Sequence, residues 1–173
     1  PDELKANAIK LANYLHNNIP DINSDYSINA KKFPIILHNR SVTANGVVTL
    51  APKRSEWYAL PPQDIYSQPW LEQLALHEFR HIVQISQFYR GFTKYMQIPF
   101  GQIAVGSTIA TFIPRWLIEG DAVISETLFS NTGRGRLPEF SAPLKAQLLE
   151  KKIFSYNKAI FGSYKDFVPD IYT

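Results

Sequence analysis

Apolar positions along the 173-residue chain follow two periods, which predict where it coils and where it extends. Leu4, Ala8, Leu11, Ala12 and Leu15 recur at helical spacing, so residues 3–17 are expected to form an amphipathic packing helix. Residues 33–37 and 47–50 read as strands, with Asn45-Gly46 as the turn between them. A third strand is expected near residues 57–60, before Pro61-Pro62 breaks the pattern; Trp57 and Tyr58 there belong to a core or rim, or line a cleft. Leu71, Leu74, Ala75, Phe79, Ile82 and Val83 then predict a longer helix over residues 69–90. Pro69 suits its first turn, Glu72 and Arg90 complement its dipole, and Gly91 stands where a C-cap belongs.

The most apolar stretch, residues 98–118, is interrupted by Pro99, Gly101, Gln102, Gly106, Pro114 and Arg115, a set that a membrane-spanning helix tolerates poorly. A buried helix near residues 100–112 is expected, the alternative being a segment that touches a membrane surface or a partner. Pro114 can start the next helix. Asn131-Thr132-Gly133-Arg134-Gly135-Arg136 reads as a plain loop, and residues 144–152 as a further helix. The fold class is therefore α+β, mainly helical, with a small β-sheet beside a long helix, in a single domain over residues 1–173.

That long helix contains His77-Glu78-Phe79-Arg80-His81, an H-E-x-x-H sequence. Residues four apart on a helix lie one above the other, so His77 and His81 can grip one metal ion. Glu78 is turned about 100° to the side, where a carboxylate can take a proton from an attacking water. A hydrolytic zinc site usually takes three protein ligands, so one more His, Glu or Asp is required. His16 and His38 fall in a helix and a strand upstream and are expected at the surface or a sheet edge. Downstream, Glu119 and Glu126 lie seven apart on one face of the helix opened by Pro114, with Gly120 expected to let that helix approach the first closely. Asp121 is turned away from Glu119 and is expected to face solvent or serve as a cap.

H-E-x-x-H followed by Trp116-Leu117-Ile118-Glu119-Gly120-Asp121-Ala122 resembles the gluzincin metallopeptidases, the group that includes thermolysin and aminopeptidase N. The resemblance implies a zincin-like, thermolysin-type fold, Zn2+ held by His77, His81 and Glu119, and Glu78 as general base. It also implies that Glu126 hydrogen-bonds a ligand imidazole and fixes its tautomer. Zincins commonly lay a peptide along an edge strand, so a peptide or protein substrate is expected. The interval between His81 and Glu119 is longer and more apolar than in those two families. There is no G-x-M-E-N segment to read a free amino terminus, so exopeptidase action has no support. The pattern as a whole is closer to little-characterised bacterial gluzincin-like domains, some of which adjoin β-propeller repeats; this implies a periplasmic or secreted setting. In aminopeptidase-type members a downstream tyrosine stabilises the oxyanion, which makes Tyr156, Tyr164 and Tyr172 candidates here. Two other readings stand beside peptide hydrolysis: a non-catalytic peptide-binding domain on the same fold, and a zinc hydrolase of a non-peptide substrate.

Composition narrows these possibilities. With 45% hydrophobic residues and no low-complexity stretch the chain can bury a core, and with no cysteine it has neither thiolate-bound zinc nor disulfides. A net charge of +3 and a pI of 9.1, with no basic stripe interleaved with aromatics, argue against nucleic-acid binding. The chain starts at Pro1 and ends on Asp170-Ile171-Tyr172-Thr173, from which a piece of a longer protein with further domains is expected.

Overall fold

The computed structural model describes residues 2–30, 32–60, 69–161 and 165. Three strands and seven α-helices follow one another as α1 (Asp2–Ser24), β1 (Ile35–His38), β2 (Gly46–Leu50), β3 (Lys53–Tyr58), α2 (Trp70–Gln87), α3 (Gly91–Phe100), α4 (Gln102–Phe112), α5 (Arg115–Leu128), α6 (Pro138–Leu149) and α7 (Tyr156–Phe161). A short 3-10 turn, Arg134–Arg136, follows α5. The fold is α+β and mainly helical.

Helix α2 is the centre of the molecule. Leu74, Ala75, Leu76, Phe79, Ile82 and Val83 bury its apolar face against Leu11, Leu15 and Ile22 of α1 and Trp57 of β3. Full burial of a side chain of this size stabilises by about 1.5–3 kcal/mol, so these contacts fix the axis of α2 against its neighbours. Its remaining flanks meet α5 and β2. Helix α1 outruns its expected end at residue 17 and continues through Pro20 to Ser24. Complete burial of Ile22 in the last turns offsets the backbone hydrogen bond that Pro20 cannot donate. Trp57 belongs to the core, its indole N–H donating to Ser55 Oγ at 2.6 Å.

The sheet has the order β1-β3-β2, with β1 parallel to β3 and β2 antiparallel to it. The hairpin expected at Asn45-Gly46 is therefore not formed, since β1 and β2 are not adjacent; the hairpin joins β2 to β3. The third strand, expected near residues 57–60, runs instead over Lys53–Tyr58, and Pro61-Pro62 lies outside the described residues. His38 sits on edge strand β1, bonded to Glu56 Oε2 at 3.0 Å and stacked on Tyr58, while His16 is exposed on α1.

The apolar stretch departs most from expectation. It runs from the end of α3 through α4 into the first turn of α5; α3 and α4 are parted at Gly101, whose φ of 59° suits glycine. Only Thr93, Ala104 and Val105 of them are buried, so the expected buried helix over 100–112 is instead a largely exposed one. Gly91, with φ of 55°, opens α3; α2 has already ended at Gln87, capped by Phe88. Among the described residues no helix is long and apolar enough to cross a membrane. Helix α6 begins six residues earlier than the expected 144, with Pro138 at its first turn.

Candidate metal centre

Because α2 and α5 pack side by side, the one-turn spacing of His77 and His81 and the single carboxylate of Glu119 meet at one point. His77 Nε2 lies 3.1 Å from His81 Nε2 and 3.4 Å from Glu119 Oε2, and His81 Nε2 lies 3.6 Å from that same oxygen. Zinc–ligand bonds of about 2.0–2.1 Å in a tetrahedron set donors ~3.3 Å apart, so the three atoms fit such an ion.

The outer imidazole nitrogens show which tautomers are present. His77 Nδ1 donates to Glu126 Oε1 at 2.6 Å; the carboxylate can only accept, so the proton is on Nδ1. His81 Nδ1 faces Gln84 Oε1 at 2.9 Å. The orientation of that amide is set from its other end, where Nε2 donates to Ile118 O at 2.9 Å and to Asp121 Oδ2 at 2.6 Å, both acceptors. Gln84 Oε1 must therefore accept from His81 Nδ1. Nδ1 of each ring is thus turned outward, and both Nε2 atoms point at each other and at Glu119 Oε2, an arrangement in which a metal cation can take the place of a proton.

Behind each imidazole stands a second layer. Arg134 Nε donates to Glu126 Oε2 at 3.0 Å, and its Nη2 donates to Oε1 while lying 3.0 Å from His77 Nδ1. Glu126 is fully buried, so without Arg134 its charge would be left in the interior. On the other side Asp121 accepts from Arg80 Nε and Nη2, both at 2.8 Å, and from Tyr26 Oη at 2.8 Å. Arg80 also reaches Asp25 at 3.0 Å and packs over the Tyr26 ring. Asp121 is thus neither a cap nor a solvent residue, contrary to expectation. It orients Gln84, and through Gln84 it orients His81.

These contacts shift the ionisations. Burial opposes charge on His77, but hydrogen bonding to Glu119 and Glu126 outweighs it and raises the pKa to about 9. Burial likewise pushes Glu119 and Glu126 up, and both are nonetheless held below the ordinary carboxylate range, Glu119 by the two histidines and Glu126 by His77 and Arg134. Glu78 moves the other way: burial lifts it despite the nearby histidines. Burial, with Asp121, pushes Tyr26 up to about 12.

The centre opens on a cavity of about 690 Å3, lined by His77, Glu78 and His81, by Val48 and Leu50 of β2, by Ile109 of α4 and by Ile113 just beyond it. At its edge Gly46 faces Glu78. A Cβ at Gly46 would stand 2.6 Å from the Glu78 carboxyl carbon and Oε1, so the glycine makes the space the carboxylate occupies. Gly120 does no such work, since a Cβ there would meet nothing within 4 Å; the close approach expected of it is made elsewhere. Added Cβ atoms at Gly133 and Gly135 would collide with the end of α5, so both glycines let the Arg134 turn fold onto Glu126. The only signal for Arg134 in the chain is that glycine on either side.

No family model, curated protein or solved structure matches this chain. The site stands on its own geometry.

Of the tyrosines considered for an oxyanion, Tyr156 accepts the Trp116 indole N–H at 2.9 Å and is not part of the cavity lining. Tyr164 and Tyr172 lie outside the described residues. Tyr26 is the one tyrosine among the described residues that lines the cavity, and its hydroxyl donates to Asp121.

Proposed function

We propose that the chain is a gluzincin-type metallopeptidase of zincin-like fold, with zinc on His77, His81 and Glu119 and Glu78 as general base for peptide-bond hydrolysis. The observation that carries this reading is the convergence of His77 Nε2, His81 Nε2 and Glu119 Oε2 3.1–3.6 Å apart, each imidazole turned by a partner behind it. Bound zinc supplies Lewis acidity that polarises the scissile carbonyl. The remaining work falls to the chain. Glu78 takes a proton from the attacking water as its oxygen bonds to the carbonyl carbon, then passes that proton to the amine that leaves when the C–N bond breaks. Glu126 and Gln84 keep the two imidazoles in the tautomer that presents Nε2 inward. Among the described residues strand β2 pairs on one side only, with β3, so its other edge offers backbone groups to an extended peptide beside the metal centre. A cavity of about 690 Å3 matches the size of ligand sites in general.

A second reading, a peptide-binding module on the same fold without turnover, is favoured by one observation. The cavity's one described tyrosine has its hydroxyl committed to Asp121, which leaves the oxyanion without a tyrosine donor among the described residues.

The deciding experiment measures zinc content and cleavage of an unbiased peptide mixture for the purified chain and for Glu78→Gln. The peptidase reading predicts zinc in both and cleavage only by the unmodified chain. Cleavage at equal rates by both proteins, or no zinc retained after reconstitution, overturns it. Zinc in both with cleavage by neither establishes the binding module.

A further inference from the structure

Between the two ligand-bearing helices the chain inserts α3 and α4, which expose large apolar side chains. Phe92, Tyr95, Ile98, Phe100, Ile103 and Phe112 are 63–83% exposed. Helix α4 has no charged residue on any face, a composition suited to a core or to lipid, yet only its Ala104 and Val105 are buried. The charges near this patch have one sign. No Asp or Glu occurs between Glu78 and Glu119, while Arg90 and Lys94 are exposed at the start of the hairpin and in its first helix; Arg115, just beyond its end, pairs with Glu119 at 3.7 Å.

We propose that the α3–α4 hairpin docks the protein onto an anionic bilayer surface. Its aromatic and aliphatic side chains enter the boundary between headgroups and acyl chains, and Arg90 and Lys94 face lipid phosphates. Helices of 10 and 11 residues span about 15–17 Å, half the ~30 Å hydrocarbon thickness, which suits lying in the interface and not crossing it. Aromatic side chains at such a surface match the headgroup level, where they are enriched. A protein partner would have to build both an apolar groove and an acidic rim, whereas an anionic bilayer presents both by composition. Helix α4 and the residue that caps it also supply Ile109 and Ile113 to the cavity wall, so docking holds the cavity against the lipid surface. If the peptidase reading holds, this selects polypeptide lying at the membrane surface; the docking itself does not depend on that reading.

The test is flotation of the full 173-residue chain with phosphatidylcholine vesicles, and with the same vesicles doped with phosphatidylglycerol. Binding to the doped vesicles, and little to phosphatidylcholine alone, is expected. Joint replacement of Phe92, Ile98 and Phe112 by serine lowers that binding at least about tenfold. Arg90→Gln and Lys94→Gln weaken it about fivefold for each charge removed. Circular dichroism of each variant should match the unmodified chain, since these side chains face water; the charge variants serve as the second test should the serine variant fold poorly. Binding to neither vesicle, equal binding to both, or binding unaffected by the substitutions overturns the proposal. So does a dimer, seen by sedimentation without vesicles, that the serine replacements dissolve, since it assigns the face to a second copy. Flotation needs no turnover, so its failure and that of the peptidase reading are separate results.

Discussion

Helix pair α2–α5 and hairpin α3–α4 are adjacent in the chain and opposite in physics. At the α2–α5 seam, polar groups are buried and tied to one another: Arg80 to Asp121, Asp121 to Gln84, Gln84 to His81, and Arg134 to Glu126 to His77. Along the hairpin, apolar groups are exposed and tied to nothing described. Buried polar atoms are costly unless bonded, so the seam admits few geometries and holds its donors in place. The hairpin carries no such constraint on its outer side, which leaves that surface available for contact. A catalytic centre requires the first property and a docking face the second.

The largest expected effect falls on the seam. Glu78→Gln should lower peptide hydrolysis by about a thousandfold or more while zinc content stays the same, as read by cleavage assay and metal analysis on one sample. Loss of zinc along with activity would show that Glu78 has a structural share the account does not assign to it.

Gly46→Ala should come next. The added Cβ displaces a carboxylate at the end of a flexible side chain and not backbone, so thermal stability changes little, but the base moves. A displacement of about 1 Å can cost on the order of a hundredfold in rate. Unchanged hydrolysis would mean the position of Glu78 is not what the site depends on.

Glu126→Ala should weaken zinc binding about 10–100-fold, the usual range for an outer partner of a metal-binding histidine. Arg134→Ala should act in the same direction through Glu126, and the double variant should fall short of the summed effects because both act on His77. Full additivity in a competitive zinc titration would break that chain of action.

Legibility in the sequence divides along the same line. His77, Glu78 and His81 were readable because helical spacing is local, and Glu119 because a second motif marks it. Glu126 entered through the same resemblance, and its contact with His77 Nδ1 is the contact expected of it. Arg134 was not readable: an arginine in a glycine-rich loop looks the same in water as when folded back on a buried carboxylate. Asp121 was misjudged because it was placed relative to Glu119, when its partners come from α2 and from Tyr26, ninety-five residues away in the chain. The parallel β1–β3 pairing depends on a connection that no local pattern reveals. Helix α4 misled for another reason: with no charge on any face, it has no polar stripe to say which side meets water.

A pH effect of smaller size tests the support behind His81. Burial pushes the Asp121 carboxyl up, but Arg80, Gln84 and Tyr26 hold it below its ordinary 3.8. A folded value below the unfolded one contributes stability that is complete above pH 3.8 and lost as pH falls through the folded value. Asp121→Asn should therefore flatten the acid limb of stability against pH, measured by urea unfolding, and change its slope little near neutrality. An identical acid limb in both proteins would remove Asp121 from the network.

The smallest effect belongs to the hairpin. Ile98→Ser should change stability by no more than about 0.5 kcal/mol, as for an exposed position, whereas Trp57→Ala should cost about 3–5 kcal/mol. A large loss at Ile98 would mean that the hairpin's outer face is covered, and the contrast between the two regions would disappear.

The central claim is that three side chains hold one metal, and calorimetric zinc titration of the purified, metal-stripped chain beside Glu119→Ala tests it most directly. The account predicts one zinc per chain, and binding weakened at least about tenfold when Glu119 is removed, because one of three protein ligands is lost. No binding to the unmodified chain, or equal affinity in both proteins, would contradict it.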